Sequence, residues 1–452
     1  MNPRTDLKGI PSTILLLAVL LWAPAPAGAA PQEPGEGRPL TLEEALRMAE
    51  DQNPRLRAAR QQVEAAEGAV WGAAGRMLPT ASFSGSWNFA EKVQVIPNPF
   101  PTPGGPEEFE IDFTQDYNGS VNLSLPVWTW GANRSAYGEA RTAVDASRED
   151  LEAARQETRL QVKQAFYGVL LARRGVEVAE ATLAQARRQE ESTARKVREG
   201  AASEFDLLRA RVQVANMRPA VSRARSGLNQ ARTSLFLVLG LEPDAKYEPV
   251  GEMRYRPVDS EIEALKREAR ANRSDLQAAR LGTQRAQLAL NMAKASWKPA
   301  LFVQGNYGFR ADNVMLDRRF NDNYAANLVV SFPLFDGFST KSRIAQAEAG
   351  REQARIGVEQ MEMAVAAEVE RAWLDLRTFE EACLAQQDNV TQAERAVEIA
   401  QVSFENGLVT GLELMDSQVA LAAARQNHYQ SLYDYLVAAA RLERAVGRPI
   451  MP

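Results

Sequence analysis

The feature that most constrains this 452-residue chain is an internal duplication. Pro79 and Pro299, near the start of the two copies, lie 220 positions apart. Later landmarks recur at an interval of 207 positions, and the pairs are Pro126 and Pro333, Val162 and Val369, Phe166 and Trp373, Gly200 and Gly407, and Gly240 and Gly447. Because the landmarks keep their order, the chain is expected to form one structural unit twice.

The intervals also suggest boundaries. They are 30–240 for copy one, 241–259 for a linker, 260–447 for copy two and 448–452 for a short tail. The change from 220 to 207 places 13 additional residues of copy one between Pro79 and Pro126. This stretch contains 96–106, whose density of proline and glycine predicts an irregular loop.

Residues 1–29 have the pattern of a secretory signal peptide. Arg4 and Lys8 precede a nine-residue apolar run, and Ala27-Gly28-Ala29 fits a cleavage site. A membrane anchor would need about 20 apolar residues, so this run is too short to span. No later stretch reaches about 18 apolar residues, so any spanning part is expected to consist of strands.

Each copy contains two segments with the period-2 alternation of strands. Small or apolar residues alternate mostly with serine and asparagine in 81–89, 117–125, 301–309 and 324–332. Their length lies within the roughly 9–11 residues of a tilted transmembrane strand, and the uncharged polar face suits a water-filled lumen. A soluble sandwich with one hydrated face is the alternative interpretation of these strands.

Long helices account for most of the remaining sequence. Proline is absent from 135–198 and 342–405, and both stretches are rich in the helix formers Ala, Glu, Arg and Gln. Each copy is therefore predicted to run helix, strand pair, long helix, returning helix, with the strand pairs at about 80–126 and 300–333. A glycine and a capping-box pattern separate the long helix from the returning helix in each copy. The positions are Gly200, Ser203 and Asp206 in copy one, and Gly407, Thr410 and Glu413 in copy two.

The composition excludes several functional classes. With His428 as its only histidine and Cys383 as its only cysteine, the chain has no HExxH zinc helix, intrachain disulfide or CxxC motif. A net charge of −5 argues against a nucleic-acid partner. We therefore predict no enzymatic activity, cofactor or metal site. We interpret His428 as a helix-surface or packing residue and Cys383 as a helix-packing residue.

Four strands cannot form a closed sheet in a membrane. Unpaired strand edges in lipid cost several kcal/mol per group, and bacterial barrels begin at about eight strands. Eight strands fill their interior with side chains, whereas twelve strands from three chains leave a channel. A homo-oligomer is predicted, and a trimer is favoured.

Residues 39–447 resemble the TolC-type outer-membrane efflux protein family. The resemblance rests on the segment 40–46, Leu-Thr-Leu-Glu-Glu-Ala-Leu, followed by Asn53-Pro54, on the duplicated strand pairs and on the turns at Gly200 and Gly407. It implies an α+β membrane protein, a homotrimer with a transmembrane β-barrel built from four strands per chain and a long periplasmic α-helical barrel. It also implies the exit duct of a tripartite efflux or type I secretion system in a Gram-negative-type bacterium. A periplasmic adaptor would join this duct to an inner-membrane pump.

The resemblance further implies an iris-like periplasmic gate containing Asp206, Glu413 and Asp416. Glu413 and Asp416 share a helix face, so a trimer would place six carboxylates around a narrow axis, favouring cations and raising some carboxylate pKa values. Val409 and Phe404 occupy the positions of the family's gate arginine and tyrosine, so the polar lock is expected to be weaker or differently built. Helix capping is the alternative role for Glu413 and Asp206, and the two roles are compatible.

Two other groups of residues are expected to make contacts. The tip residues Gly200, Ser203, Gly407 and Thr410 are expected to contact the adaptor. Aromatic residues flank the strands and are expected at the interface with outer-membrane lipid, with core packing as the alternative. They are Trp128, Trp130, Trp297 and Phe335.

Two other functional classes share sequence features with a transport duct. A trimeric adhesin also supplies four strands per chain, but from one C-terminal segment, whereas the strand pairs here are internal and duplicated. A soluble periplasmic coiled-coil scaffold would be distinguished by its independence of detergent.

Overall fold

The computed structural model describes residues 38–89, 93–98, 100, 102–103, 105–106, 108–112, 115–258, 261–311 and 320–450. The predicted signal peptide lies outside these residues. The helices are α1 Leu42–Gln52, α2 Pro54–Gly75, α3 Ala132–Arg198, α4 Glu204–Leu239, α5 Ile262–Asn272, α6 Ser274–Ala295, α7 Ser339–Glu405 and α8 Gly411–Val446. The strands are β1 Arg38–Leu40, β2 Thr80–Phe89, β3 Val93–Pro97, β4 Glu108–Asp112, β5 Gln115–Trp128, β6 Tyr247–Pro249, β7 Ala300–Ala311 and β8 Phe320–Ser331.

The helix lengths repeat along the chain. Helices α1 to α4 have 11, 22, 67 and 36 residues, and helices α5 to α8 have the same four lengths in the same order. The long helices begin three residues before the stretches in which the sequence predicted them. The residues that precede α3 and α7, Gly131 and Phe338, both have a left-handed backbone, with φ of 83° and 67°.

Glycine fixes how each returning helix ends. Gly240 and Gly447 follow α4 and α8 with φ of 78° and 83°, in the left-handed region that disfavours other residues. A Cβ atom on Gly240 would lie 2.5 Å from the carbonyl oxygen of Gln52, and one on Gly447 would lie 2.9 Å from that of Asn272. Each returning helix thus ends against the joint between the two short helices of its own copy.

The helices pack side by side in a layer, and their order can be given for each half of its length. In the half away from the sheet the order is α4, α3, α8, α7, and in the half beside the sheet it is α2, α3, α6, α7. Helix α7 therefore lies at one edge, and α2 and α4 lie at the other. Two apolar clusters pack the middle of the layer, one around Phe166 and Leu239 and one around Leu376 and Tyr435.

The main sheet is antiparallel, with strand order β2, β5, β7, β8. In a single chain this sheet is open, and β2 and β8 are its edge strands. Among the described residues, no helix combines the length and apolar character needed to cross a membrane.

The strand register separates apolar and polar rows onto opposite faces. One row across the four strands is Phe83, Val121, Tyr307 and Tyr324, and a neighbouring row on the other face is Ser82, Asn122, Asn306 and Ala325. Polar side chains bond to one another across strands on that second face. Ser84 Oγ lies 2.8 Å from Ser120 Oγ, and Asn306 Nδ2 donates to Asn122 Oδ1 at 2.6 Å. The alternation in the sequence therefore becomes one apolar and one hydrogen-bonded face.

The prediction of an irregular loop at 96–106 is wrong at its start. Ile96 and Pro97 end β3, which pairs antiparallel with β4 in a separate hairpin. The β-branched residues Val93, Val95 and Ile96 favour a strand, and the prolines and glycines lie mainly in the connection beyond it.

Candidate functional site

The two long helices reverse in the same way at their tips. We define the copy-one tip as 199–203 and the copy-two tip as 406–410. Gly200 and Gly407 both have φ of 73°. The N–H groups of Ala201 and Leu408 each donate at 2.8 Å to the carbonyl five residues earlier, on Lys196 and Ser403 respectively. This is the Schellman pattern, which satisfies the last helix carbonyls and lets the chain turn back.

Both returning helices start with a complete capping box. Asp206 N donates to Ser203 Oγ at 3.2 Å, while Ser203 N donates to Asp206 Oδ2 at 3.2 Å. In copy two, Glu413 N donates to Thr410 Oγ1 at 3.3 Å and Thr410 N donates to Glu413 Oε2 at 2.7 Å. Asp206 therefore completes its box despite the shorter side chain, and the capping role of both acids is present in one chain.

Capping also sets the charge of these carboxylates. The backbone N–H of Thr410 lowers the pKa of Glu413, and the side-chain hydroxyl of Ser203 lowers the pKa of Asp206. Since these pKa values lie below those of the unfolded chain, the capping contribution is present at neutral pH and is lost as the pH falls through the lowered values. The expected upward shift requires facing carboxylates from other chains and stays a prediction.

Asp416 lies one helical turn beyond Glu413 on α8 and is exposed. The single chain therefore brings Glu413 and Asp416 onto neighbouring turns of one helix, while Asp206 lies on the other hairpin. Asp206, Gly407 and Thr410 line a groove of about 540 Å³ between the two hairpins. Gly200 and Ser203 lie beside this groove in the copy-one tip.

The groove contains a contact that the sequence did not reveal. Lys196 Nζ lies 4.0 Å from the centroid of the Phe404 ring, close enough for a cation–π interaction. The Phe404 ring also lies 3.5 Å from the position that a Cβ atom on Gly411 would take. The two positions where the chain departs from the family's polar lock, Phe404 and Val409, both line the groove. A cation–π contact therefore joins the hairpins here.

The four flanking aromatic residues are exposed in one chain, at the junction between the sheet and the long helices. Trp130 Nε1 donates to the carbonyl of Pro299 at 2.6 Å, and Lys298 Nζ lies 4.9 Å from the Trp130 ring. Trp130 and Phe338 have φ of 51° and 67°, the only positive values outside glycine among the described residues. Phe338 is exposed in the same region and was not predicted.

The remaining candidates for chemistry occupy packing positions. Cys383 is buried in the apolar cluster around Leu376 and Tyr435. His428 is half-buried on α8, and its burial lowers its pKa. Within the described ranges, His, Cys, Asp and Glu nowhere form a group of three or more that could hold a metal ion.

Comparison with known proteins decides the family. A family model described as "Outer membrane efflux protein" matches residues 45–241 and 265–448. The chain belongs to the outer membrane efflux protein family. Its function is therefore transport rather than catalysis, and its place is the outer membrane, with the molecule extending into the periplasm.

Similar proteins cover most of the chain. Protein CyaE of Bordetella pertussis is 28% identical over 68% of this chain and 66% of its own length. The cobalt-zinc-cadmium resistance protein CzcC of Cupriavidus metallidurans is 24% identical over 91% of this chain and 90% of its own length. The solved CmeC outer membrane channel of Campylobacter jejuni superimposes with a TM-score of 0.76, covering 90% of this chain and 85% of that channel at 17% identity. The fold of this chain is thus that of an outer-membrane channel.

Proposed function

We propose that three copies of the chain form a continuous duct, with a transmembrane β-barrel and a periplasmic α-helical barrel. The observation that carries this proposal is the division of the sheet into an apolar face and a hydrogen-bonded polar face. The apolar face suits contact with lipid, and the Ser/Asn face suits a water-filled interior.

The edges of the chain support closure into a ring. Edge strand β2 follows α2 in the chain, and α2 and α4 lie at one edge of the helical layer. Edge strand β8 leads into α7, which lies at the opposite edge. One side of each chain therefore differs from the other, so successive copies join head to tail. Two copies would supply eight strands, which fill their own interior with side chains. Three copies supply twelve strands, which leave a channel.

Within this duct, Asp206, Glu413 and Asp416 form the periplasmic gate, assisted by the contact between Lys196 and Phe404. A periplasmic adaptor binds the tips at Gly200, Ser203, Gly407 and Thr410, and connects the duct to an inner-membrane pump. Trp128, Trp130, Trp297 and Phe335 contact outer-membrane lipid, and their exposure in one chain supports this assignment. The cargo crosses unmodified in efflux or type I secretion.

Planar lipid bilayers test the transport function. The purified protein is expected to insert and to give discrete conductance steps with a preference for cations, since a ring of carboxylates at the gate favours cations. A folded protein that never conducts, and that remains soluble without detergent, would instead support the periplasmic scaffold.

A further inference from the structure

Basic residues collect where the sheet meets the helices. Four segments form this junction: 71–79 at the end of α2, 129–138 at the start of α3, 291–299 at the end of α6 and 333–343 at the start of α7. They contain six basic residues and one acidic residue, Asp336, in a chain whose net charge is −5. We call the six basic residues the junction patch, and they are Arg76, Arg134, Lys294, Lys298, Lys341 and Arg343.

The charges of the junction patch are available to a ligand. All six residues are exposed. Among the residues that the structure describes, Lys294 alone of the six has an acidic partner, Glu348 at 3.2 Å. Asp336 caps α7 instead, since its Oδ2 accepts from the N–H of Thr340 at 2.8 Å. Five cations of the patch therefore have no counter-charge within the described part of the chain.

Neither the helices nor the proposed ring accounts for these cations. Arg134 and Lys341 occupy the third position of α3 and α7, where a positive charge opposes the helix dipole. In α4 and α8 the third position holds the capping acids Asp206 and Glu413. The proposed ring brings the end of α2 beside the start of α7 of another copy, and both segments are basic. The patch therefore requires anions from outside the protein to balance its charge.

The junction patch adjoins the apolar face of the sheet. Trp128 lies opposite Leu301, which shares a face of β7 with Tyr307. The Trp128 ring meets that of Trp130 edge to face, with 5.9 Å between the centroids, and Lys298 Nζ lies 4.9 Å from the Trp130 centroid. Tryptophan prefers the boundary between lipid and water, and lysine beside it reaches the level of the headgroups. The patch therefore begins where the apolar face ends.

The basic surplus belongs to one end of the sheet. At their other end, β2 and β5 continue into the hairpin of β3 and β4, and β4 carries Glu108, Glu110 and Asp112. The two ends of the sheet thus differ in charge, and only the helix side presents the patch to the membrane surface.

We propose that the junction patch binds the headgroups of anionic phospholipids in the outer-membrane leaflet on the helix side of the sheet. This proposal rests on the proposed barrel, which places the apolar face in lipid, and it names the class of lipid beside the aromatic residues. Lysine and arginine clustered next to a membrane-spanning segment attract anionic headgroups, and both side chains donate charge-assisted hydrogen bonds to phosphate. A zwitterionic headgroup has the same phosphate without net charge, so the patch selects between the two.

Native mass spectrometry of the purified mature protein in mild detergent tests this selection, with phosphatidylglycerol and phosphatidylcholine added together at equal concentrations. We expect the protein to retain phosphatidylglycerol over phosphatidylcholine in a ratio of at least about five, the effect of one cation beside an anionic headgroup. Lys298→Gln with Lys341→Gln is expected to lower this ratio about fivefold.

Two further variants serve as controls. Arg187 and Arg188 are exposed near the tip end of α3, and neither has an acidic partner among the described residues. Arg187→Gln with Arg188→Gln removes the same charge far from the sheet, so the lipid ratio is expected to stay unchanged. Lys298→Arg with Lys341→Arg keeps the charge of the patch and is expected to keep the ratio.

The outcomes separate the patch from the ring, because all six residues belong to one chain and the same spectrum gives the mass. A trimer that retains the two lipids equally overturns the patch and leaves the duct intact. A ratio that survives the double glutamine variant, or that falls equally in the Arg187 and Arg188 control, overturns the assignment to these residues. A monomer that keeps the ratio supports the patch and overturns the ring, and a monomer that retains neither lipid overturns both.

Inorganic phosphate separates the lipid from a free anion. Its addition at constant ionic strength is expected to leave the lipid ratio unchanged. Loss of the phosphatidylglycerol excess under this condition would assign the patch to free phosphate and overturn the proposal.

Discussion

Replacing Arg273 with alanine is expected to lower the free energy of unfolding by about 1–3 kcal/mol, the usual cost of leaving partly buried polar groups without a partner. The Arg273 side chain is only 5% exposed and lies 2.6 Å from Asp275 and 2.5 Å from Glu368. It also holds the start of α6 against the end of α8, where Nη1 donates to the carbonyl of Ala445 at 3.5 Å. Without the guanidinium group, two partly buried carboxylates lose a cation.

Chemical unfolding in detergent, followed by circular dichroism, measures this effect. Arg425→Ala is the matched control, because Arg425 pairs with Glu394 at 2.8 Å but both side chains are more than 40% exposed. The control is expected to change the free energy of unfolding by about 0–1 kcal/mol. Equal effects of the two substitutions would show that the ion pairs of Arg273 contribute no more to stability than an exposed ion pair.

Replacing Glu413 with glutamine and Asp416 with asparagine is expected to bring the cation-to-anion permeability ratio close to one and to raise conductance. The double variant removes six carboxylates from the trimer, and hence the negative ring that is proposed to attract cations. Glutamine at position 413 can still complete the capping box with Thr410, so the helix start is retained. Single-channel recordings in planar bilayers give both quantities.

Thr410→Ala provides the complementary variant. It removes the hydroxyl that accepts from the Glu413 N–H and keeps both carboxylates, so stability is expected to fall by about 0.5–2 kcal/mol with cation preference retained. If selectivity and conductance are unchanged in the glutamine and asparagine double variant, and the protein still forms trimers, capping alone accounts for Glu413.

Local sequence patterns predicted those elements whose formation depends on residues close together in the chain. Alternation of serine with apolar residues located β2, and the Thr410-to-Glu413 spacing located a capping box that the structure contains. The hairpin of β3 and β4 was missed because its strands have five residues each and border a segment rich in proline. Such short strands give little periodicity, and the prolines suggested a loop.

Contacts between the copies could not be predicted in this way. Lys196 and Phe404 do not occupy equivalent positions of the duplication, and no periodicity links them. At the helix joint, the copy-one residue is Asn53, whose Nδ2 donates to the carbonyl of Val238 at 2.6 Å. Its counterpart Arg273 reaches the equivalent carbonyl, that of Ala445, with a different group. The ion pair between Arg273 and Glu368 joins residues 95 positions apart, which no local pattern indicates.

The native mass of the purified mature protein in mild detergent tests the central claim most directly. One full chain has a mass of 49.8 kDa, so three chains without residues 1–29 should give roughly 140 kDa of protein. That mass would support the proposed twelve-stranded barrel shared by three chains. A monomer that stays soluble after the detergent is removed would contradict the duct.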